Sequence, residues 1–123
     1  MADLQLRHFD ISEFDSPDVL GSGDRMKVPT LIKLDNAREI ADVAFVVTSG
    51  YRTPLHNESV GGVSGSSHMK GYAVDIEART SEMRMKIVAA LILVGFNRIG
   101  IGRNFIHVDD DPEKSPDVMW HYY

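Results

Sequence analysis

The sequence predicts an α+β fold: a small, mainly antiparallel sheet flanked by two main helices, with a long functional loop. Two stretches carry apolar residues at helical spacing, one from Pro29 and one from Thr80 or Ser81. The other elements are short β-branched or alternating segments, and the predicted strands are 45–48, 72–76, 98–102 and 105–109. A turn at Arg103-Asn104 is expected to join the last two strands.

The length and composition suit one domain that spans residues 1–123. Hydrophobic residues make up 43% and charged residues 25%, as in ordinary soluble globular proteins. The net charge of -5 and the lack of a basic stripe argue against nucleic-acid binding. The chain has no cysteine, so disulfides and thiolate metal sites are excluded and any zinc must be held by His, Asp or Glu.

No membrane segment is expected. Residues 1–9 are mixed polar without an apolar core, so no signal peptide is visible. The longest apolar run, 87–94, is too short to span a bilayer. These observations predict a protein made in the cytoplasm, with no membrane insertion.

The first half of the chain contains one main helix and one long loop. Asp10 and Glu13 have the spacing of a capping box and predict a single helical turn, whereas 15–24 has loop chemistry. The helix from Pro29 is expected to end near Val43. After the strand that ends at Ser49-Gly50, roughly eighteen residues lack obvious structure, a length typical of functional loops.

The second half is expected to alternate strands with the other main helix. Thr80 or Ser81 caps this helix, and Gly95 stands at its C′ position. Residues 118–123 are expected to add a last strand or to pack over the site. Their aromatic residues, Trp120, Tyr122 and Tyr123, are expected to cover the core rather than to floor a substrate groove.

The first chemical signal is the stretch from Ser66 to Asp75. His68 stands at the end of a loop rich in glycine and serine, and Asp75 lies in the strand on the face where Ala73 leaves room. An imidazole nitrogen and a carboxylate oxygen beside a roomy loop are suitable zinc ligands. The alternative is a polar loop followed by a strand, with no metal.

The second signal is His107, which shares one face of its predicted strand with Phe105 and Asp109. A histidine in this setting can equally be a core or edge residue. With His68 and Asp75, however, it completes a set of two imidazoles and one carboxylate. Such a set leaves a fourth position open for water, as in catalytic zinc sites.

The pattern Ser67-x-His68-x2-Gly71-x-Ala73-x-Asp75, followed by His107-Val108-Asp109, resembles the zinc D-Ala-D-Ala carboxypeptidase family of peptidoglycan peptidases. Relatives of that family include D-Ala-D-Ala dipeptidases and the L-alanyl-D-glutamate endolysins of phages. Further matching pieces lie upstream, at residues 14–17, 49–54, 57 and 60–63. The resemblance covers nearly the whole chain, from about Phe9 to Trp120.

The resemblance implies a site. His68, Asp75 and His107 would be the ligands of one Zn²⁺ per chain. Arg52 matches an arginine that in relatives steadies a substrate carboxylate or the developing oxyanion, and a surface ion pair is the alternative. Ser67 would bond to the site or the substrate, or would only stabilise its loop.

The implied mechanism is metal-assisted peptide hydrolysis, which needs a general base. Many relatives carry an acidic residue three positions before the last ligand histidine, but this chain has Asn104 there, and an amide cannot accept a proton. Asp109 is the nearest carboxylate and would act as the base or orient a ligand histidine. Asp110 and His121 are further candidates, and His121 is also a candidate for substrate contact.

The expected function is zinc-dependent hydrolysis of a D-amino-acid-containing peptide in bacterial peptidoglycan. The resemblance favours a phage or prophage lysin that acts at the cell wall or periplasm, after lysis or as part of a phage tail or virion. Asn104 keeps open an alternative: a catalytically weak domain that binds peptidoglycan in a virion or wall assembly. A metal-free scaffold is a third possibility.

Overall fold

The computed structural model describes residues 5–123 and has an α+β fold, as the sequence predicts. The expectation about a signal peptide rests partly on residues 1–4, which lie outside the described residues. The strands are β1 (Val47–Ser49), β2 (Ala73–Glu77), β3 (Arg98–Ile101), β4 (Phe105–Asp109) and β5 (Val118–His121). The α-helices are α1 (Val28–Ala41), α2 (Pro54–Ser59), α3 (Ser67–Lys70) and α4 (Ser81–Leu93).

The five strands form one sheet in the order β1-β2-β4-β3-β5. All neighbouring pairs are antiparallel except β3 and β5, which run parallel. In the central pair, Asp75 of β2 lies directly opposite His107 of β4. Residues paired in this way share one face of the sheet, so the register alone brings two predicted zinc ligands together.

The two main helices cover the other face of the sheet. That face carries the alternate residues of β2 and β4 (Val74, Ile76, Ile106 and Val108), none of which is more than 1% exposed. They belong to the same core as Leu34 of α1 and Leu91 of α4. A slip of one residue in the register would turn these apolar side chains away from the helices, so the core fixes which face carries Asp75 and His107.

The predicted caps of the first helical turn and of α4 are present in the structure. Asp10 and Glu13 form the predicted capping box, here on a 3-10 turn. The side chain of Thr80 accepts a hydrogen bond from the backbone N–H of Met83 at the start of α4. Gly95 follows the same helix with φ +105°, a conformation that favours glycine.

The long loop after β1 contains more helix than the sequence predicted. It includes the short helices α2 and α3, and His68 lies in the first turn of α3 rather than in a loop. Thr53 caps α2 and Ser66 caps α3. The helices have only six and four residues, too few to show a helical apolar period. The region 15–24, expected as loop, similarly contains a 3-10 turn at Ser22–Arg25.

The C-terminal residues form the predicted last strand. β5 pairs with β3, and Gly100 lies opposite Trp120. Among the described residues, no helix has both the length and the apolar character needed to cross a bilayer.

Candidate metal centre

The structure brings the three predicted zinc ligands together from three different elements. His68 of α3, Asp75 of β2 and His107 of β4 each offer a ligand atom, and these atoms all lie within 4.8 Å of one another. Asp75 Oδ1 is 3.3 Å from His68 Nε2 and 3.0 Å from His107 Nδ1. Both histidines are buried, so the cluster lies below the protein surface.

In each ring, the outer nitrogen, which is the one that faces away from Asp75, lies within hydrogen-bond distance of an acceptor. His68 Nδ1 is 2.8 Å from the carbonyl oxygen of Gly50, and His107 Nε2 is 2.8 Å from Asp109 Oδ2. A carbonyl or a carboxylate oxygen accepts, so in the neutral rings the protons are assigned to these outer nitrogens. The lone pairs of His68 Nε2 and His107 Nδ1 then face Asp75, and such outer contacts are typical of metal-ligating histidines.

Gly50 is needed for one of these contacts. A Cβ at this position would lie 2.7 Å from the Cα of Phe14, so only glycine fits where the chain passes so close. The backbone N–H of Tyr51 also donates to the carbonyl of Phe14, which keeps the two segments together. The Gly50 carbonyl is thereby held beside the imidazole of His68.

The electrostatics of the cluster favour positive charge. Burial alone would raise the pKa of Asp75, but the contacts with His107 and His68, each of which donates to Asp75 when its ring is protonated at both nitrogens, hold that pKa well below its usual range. Burial alone would lower the pKa of His107, but Asp109 and Asp75 raise it. The two carboxylates, Asp75 and Asp109, thus favour positive charge at the His107 ring.

Both carboxylate oxygens of Asp109 have hydrogen-bond partners. Oδ2 contacts His107, and Oδ1 accepts from Arg98 Nε at 2.7 Å and from the backbone N–H of Asp111 at 3.1 Å. Burial alone would raise the pKa of Asp109, but the contacts with His107 and Arg98 lower it. Of the two alternatives for this residue, the geometry matches the one in which it orients a ligand histidine.

Arg52 lies beside the cluster with its side chain 15% exposed. Its Nε donates to Ser49 Oγ, one Nη to Asn57 Oδ1, and the other Nη to Asp75 Oδ2 at 3.4 Å. A guanidinium has five N–H groups, so one N–H on each terminal nitrogen remains for a ligand. Arg52, which is expected to bind the substrate, thus also contacts Asp75 in the structure.

An open cleft of about 530 Å³ leads to the cluster. Its lining includes Trp120 and Tyr122, and the ring centroid of Trp120 is 5.5 Å from that of His107. The expectation that these aromatic residues cover the core was therefore wrong for these two residues. Trp120 and Tyr122 alternate with His121 along the chain, and they take the face of the sheet that carries the cluster.

The candidates His121 and Asp110 lie outside the cleft lining, and so does Asn104. His121 is exposed, with its ring against Tyr123, so its expected contact with substrate has no support in this geometry. Asp110 turns toward α1, where it contacts Thr30 and pairs with Lys33. Asn104 is exposed in the turn between β3 and β4.

Ser67 lines the cleft, but its hydroxyl group is already hydrogen-bonded within the protein. Its Oγ donates to Asp111 Oδ2 at 2.7 Å, and both side chains are buried. The geometry thus matches the loop-stabilising alternative. Among the described residues that line the cleft, the carboxylates are Asp75 and Asp109. Both already contact histidine and arginine side chains of the site.

Sequence reasoning missed Arg98. Its side chain is 12% exposed, it pairs with Asp109, and its guanidinium carbon lies 5.2 Å from the ring centroid of Trp120. The available signal was a single arginine at the start of a predicted strand. Such a residue is ordinarily exposed, and no motif spacing connects it to the site.

One comparison with known proteins identifies a family. A family model described as Peptidase M15 matches residues 6–109, a range that includes Arg52 and all three residues of the cluster. No curated protein matches the chain. The match covers most of the chain, so the protein belongs to the Peptidase M15 family of zinc D-Ala-D-Ala carboxypeptidase-like metallopeptidases.

Proposed function

We propose that the protein is a zinc peptidase that hydrolyses a peptide bond in D-amino-acid-containing stem or cross-link peptides of bacterial peptidoglycan. One observation carries this proposal: two imidazole lone pairs and a carboxylate oxygen meet at an open cleft beside Arg52. His68, Asp75 and His107 would hold a single Zn²⁺. Three protein ligands leave its coordination incomplete, as in catalytic rather than structural zinc sites.

The residues present fit zinc. The set consists of two nitrogens and one oxygen without thiolates, and the outer contacts with Gly50 and Asp109 orient both rings before any metal binds. When bound, zinc supplies a Lewis acid that polarises a carbonyl group and lowers the pKa of a water molecule to about 7.

The other cleft residues would position the peptide. The two remaining N–H groups of Arg52 can bind a substrate carboxylate or carbonyl oxygen, because a guanidinium presents its donors in a fixed planar fork. The contacts with Ser49, Asn57 and Asp75 hold the guanidinium in place, so its orientation is set before substrate arrives. The rings of Trp120 and Tyr122 offer an apolar surface next to His107.

A second candidate is a catalytically weak domain that binds peptidoglycan. It is favoured by the engagement of both cleft carboxylates, Asp75 and Asp109, which leaves neither as an unpaired proton acceptor. In this case the same cleft would hold a stem peptide without cutting it.

We further propose that the protein acts at the cell wall as a phage or prophage lysin, released on lysis or carried by a tail or virion. Its partner would be a peptidoglycan peptide. The likeness of the motif around His68 and His107 to phage endolysins supports this setting. The net charge of -5 accords with a partner other than nucleic acid.

The test is mass spectrometry of peptidoglycan fragments after incubation with zinc-loaded protein. A chelated sample and the variant Asp75→Ala serve as comparisons, and Asp110→Asn is a matched control at an acidic residue outside the cleft. New peptide termini that require both zinc and Asp75 would support the peptidase, and their masses would identify the bond. Intact peptides from a zinc-loaded protein that sediments with the wall would refute catalysis and favour the second candidate.

A further inference from the structure

The segment after Asp109 builds one part of the cleft. Lys114, Trp120 and Tyr122 line it, although the family match ends at residue 109. The fit depends on Gly100 of β3, because a Cβ there would lie 2.6 Å from Trp120 Nε1 and 2.7 Å from the Tyr122 ring. The metal cluster and Arg52 thus come from the matched region, and this additional lining comes from the segment that follows it.

The cleft lining contains three cationic side chains, and two of them are already paired with carboxylates. Arg52 contacts Asp75, and Arg98 donates to Asp109. Lys114, which is half-buried, has no carboxylate within salt-bridge distance in the described part of the chain. Lys114 is therefore the cationic residue of this lining whose charge no described carboxylate neutralises.

The acidic neighbours of Lys114 in the chain are directed elsewhere. Asp111 is buried and binds Ser67 and Lys70, and Glu113 also lies near Lys70. The backbone N–H of Glu113 donates to Asp111 Oδ1, and that of Lys114 to the Asp111 carbonyl. The backbone at Lys114 is thereby anchored, while its side chain is free of these acids.

We propose that Lys114 binds a free carboxylate of the peptide substrate and so makes the cleft selective for acidic peptides. This inference rests on the proposed function. An ammonium group on the lining of a cleft attracts a carboxylate and discriminates against the neutral amide of the same shape. In a stem peptide that carboxylate comes from the D-glutamate residue or from the chain terminus.

The test uses Trp120, the sole tryptophan of the sequence, as a binding probe within the cleft. Zinc-loaded protein is mixed with a synthetic peptide that contains L-Ala-D-Glu and ends in D-Ala-D-Ala, and fluorescence is recorded within the first seconds by stopped flow. Two further peptides carry an amide in place of the glutamate carboxylate or of the terminal carboxylate. Fragment masses from the same mixtures report hydrolysis separately.

We expect amidation at one of the two positions to weaken binding to the wild-type protein about five- to tenfold, the range for a partly exposed ion pair with a hydrogen bond. That position identifies the carboxylate. Lys114→Gln should bind the acidic peptide as weakly as the amide, and Lys114→Arg should restore the preference. Lys86→Gln, which removes a lysine paired with Glu82 on α4, should behave as wild type.

Equal affinity of the wild-type protein for all three peptides would overturn the assignment, and so would an unchanged preference in Lys114→Gln. If either result accompanies hydrolysis, only the role of Lys114 fails and the proposed peptidase stands. If the peptides are neither bound nor cut, the proposed function fails with it.

Discussion

Replacing Asp109 by asparagine tests whether this residue holds His107 in its metal-binding orientation. The carboxylate side chain is 1% exposed and accepts from the His107 ring and from Arg98. Asparagine has nearly the same shape but offers one oxygen and one NH₂ group. Whichever way the amide turns, its NH₂ group faces the N–H of either His107 or Arg98. The ring or the guanidinium therefore loses its acceptor.

The change should affect both zinc affinity and stability. Loss of the outer contact of a ligand histidine typically lowers metal affinity about 10- to 100-fold. Breaking a buried pair by removing one charge costs about 3 kcal/mol of unfolding free energy at the low end of the usual range, and Arg98 is only 12% exposed here. The two effects are separable, because metal binding can be measured under conditions where the variant is folded.

Competition with a chromogenic chelator measures zinc affinity, and urea unfolding of the metal-free protein measures stability. Asp110→Asn is the matched control, since Asp110 pairs with Lys33 and contacts Thr30, away from the cluster. A zinc affinity of Asp109→Asn equal to that of the control would refute the claim that Asp109 orients His107. Loss of affinity in both variants would instead indicate a general effect of charge.

Three further predictions follow from the same contacts. His68→Ala should reduce bound zinc from one per chain to near none, as elemental analysis after dialysis can show; retention of zinc would exclude His68 as a ligand. Gly100→Ala should displace Trp120, because the added Cβ would lie 2.6 Å from its Nε1, so the fluorescence maximum should shift to longer wavelength, whereas an unchanged spectrum would contradict this packing. Burial alone would raise the pKa of Asp35, but hydrogen bonds from the backbone N–H groups of residues 7 and 8 lower it. Around its ordinary pKa the unfolded chain therefore binds more protons than the folded one, so stability contributed by Asp35 is present above that pKa and is lost as the pH falls below it. Urea unfolding between about pH 5 and pH 2 should show a shallower decline for Asp35→Asn than for wild type, and equal declines would argue against the role of these hydrogen bonds.

Much of the fold could be predicted because its signals are local. Each main helix has its start signal within the same stretch of chain, a proline in the first turn of α1 and the cap Thr80 of α4, and polar and apolar residues alternate in β2 and β4. The short helices α2 and α3 escaped prediction because their formation depends on single caps and on packing around the loop. Periodicity needs several turns before it exceeds chance.

The site, like the fold, has a part that could be predicted from the sequence and a part that could not. The sequence by itself predicted His68, Asp75 and His107 as one set, since chemical type and a recognisable motif single out these residues without any knowledge of their neighbours. Their actual proximity is a consequence of the register between β2 and β4, which the buried apolar face enforces.

Only the tertiary structure decided what surrounds the cluster. It showed Asp109 occupied by His107 and Arg98, and Trp120 placed on the cleft by the parallel pairing of β5 with β3. A carboxylate has the same intrinsic chemistry whether it accepts a substrate proton or holds a histidine, and its partners distinguish the two roles. Those partners lie on separate strands, and the path of the chain between them determines which groups meet.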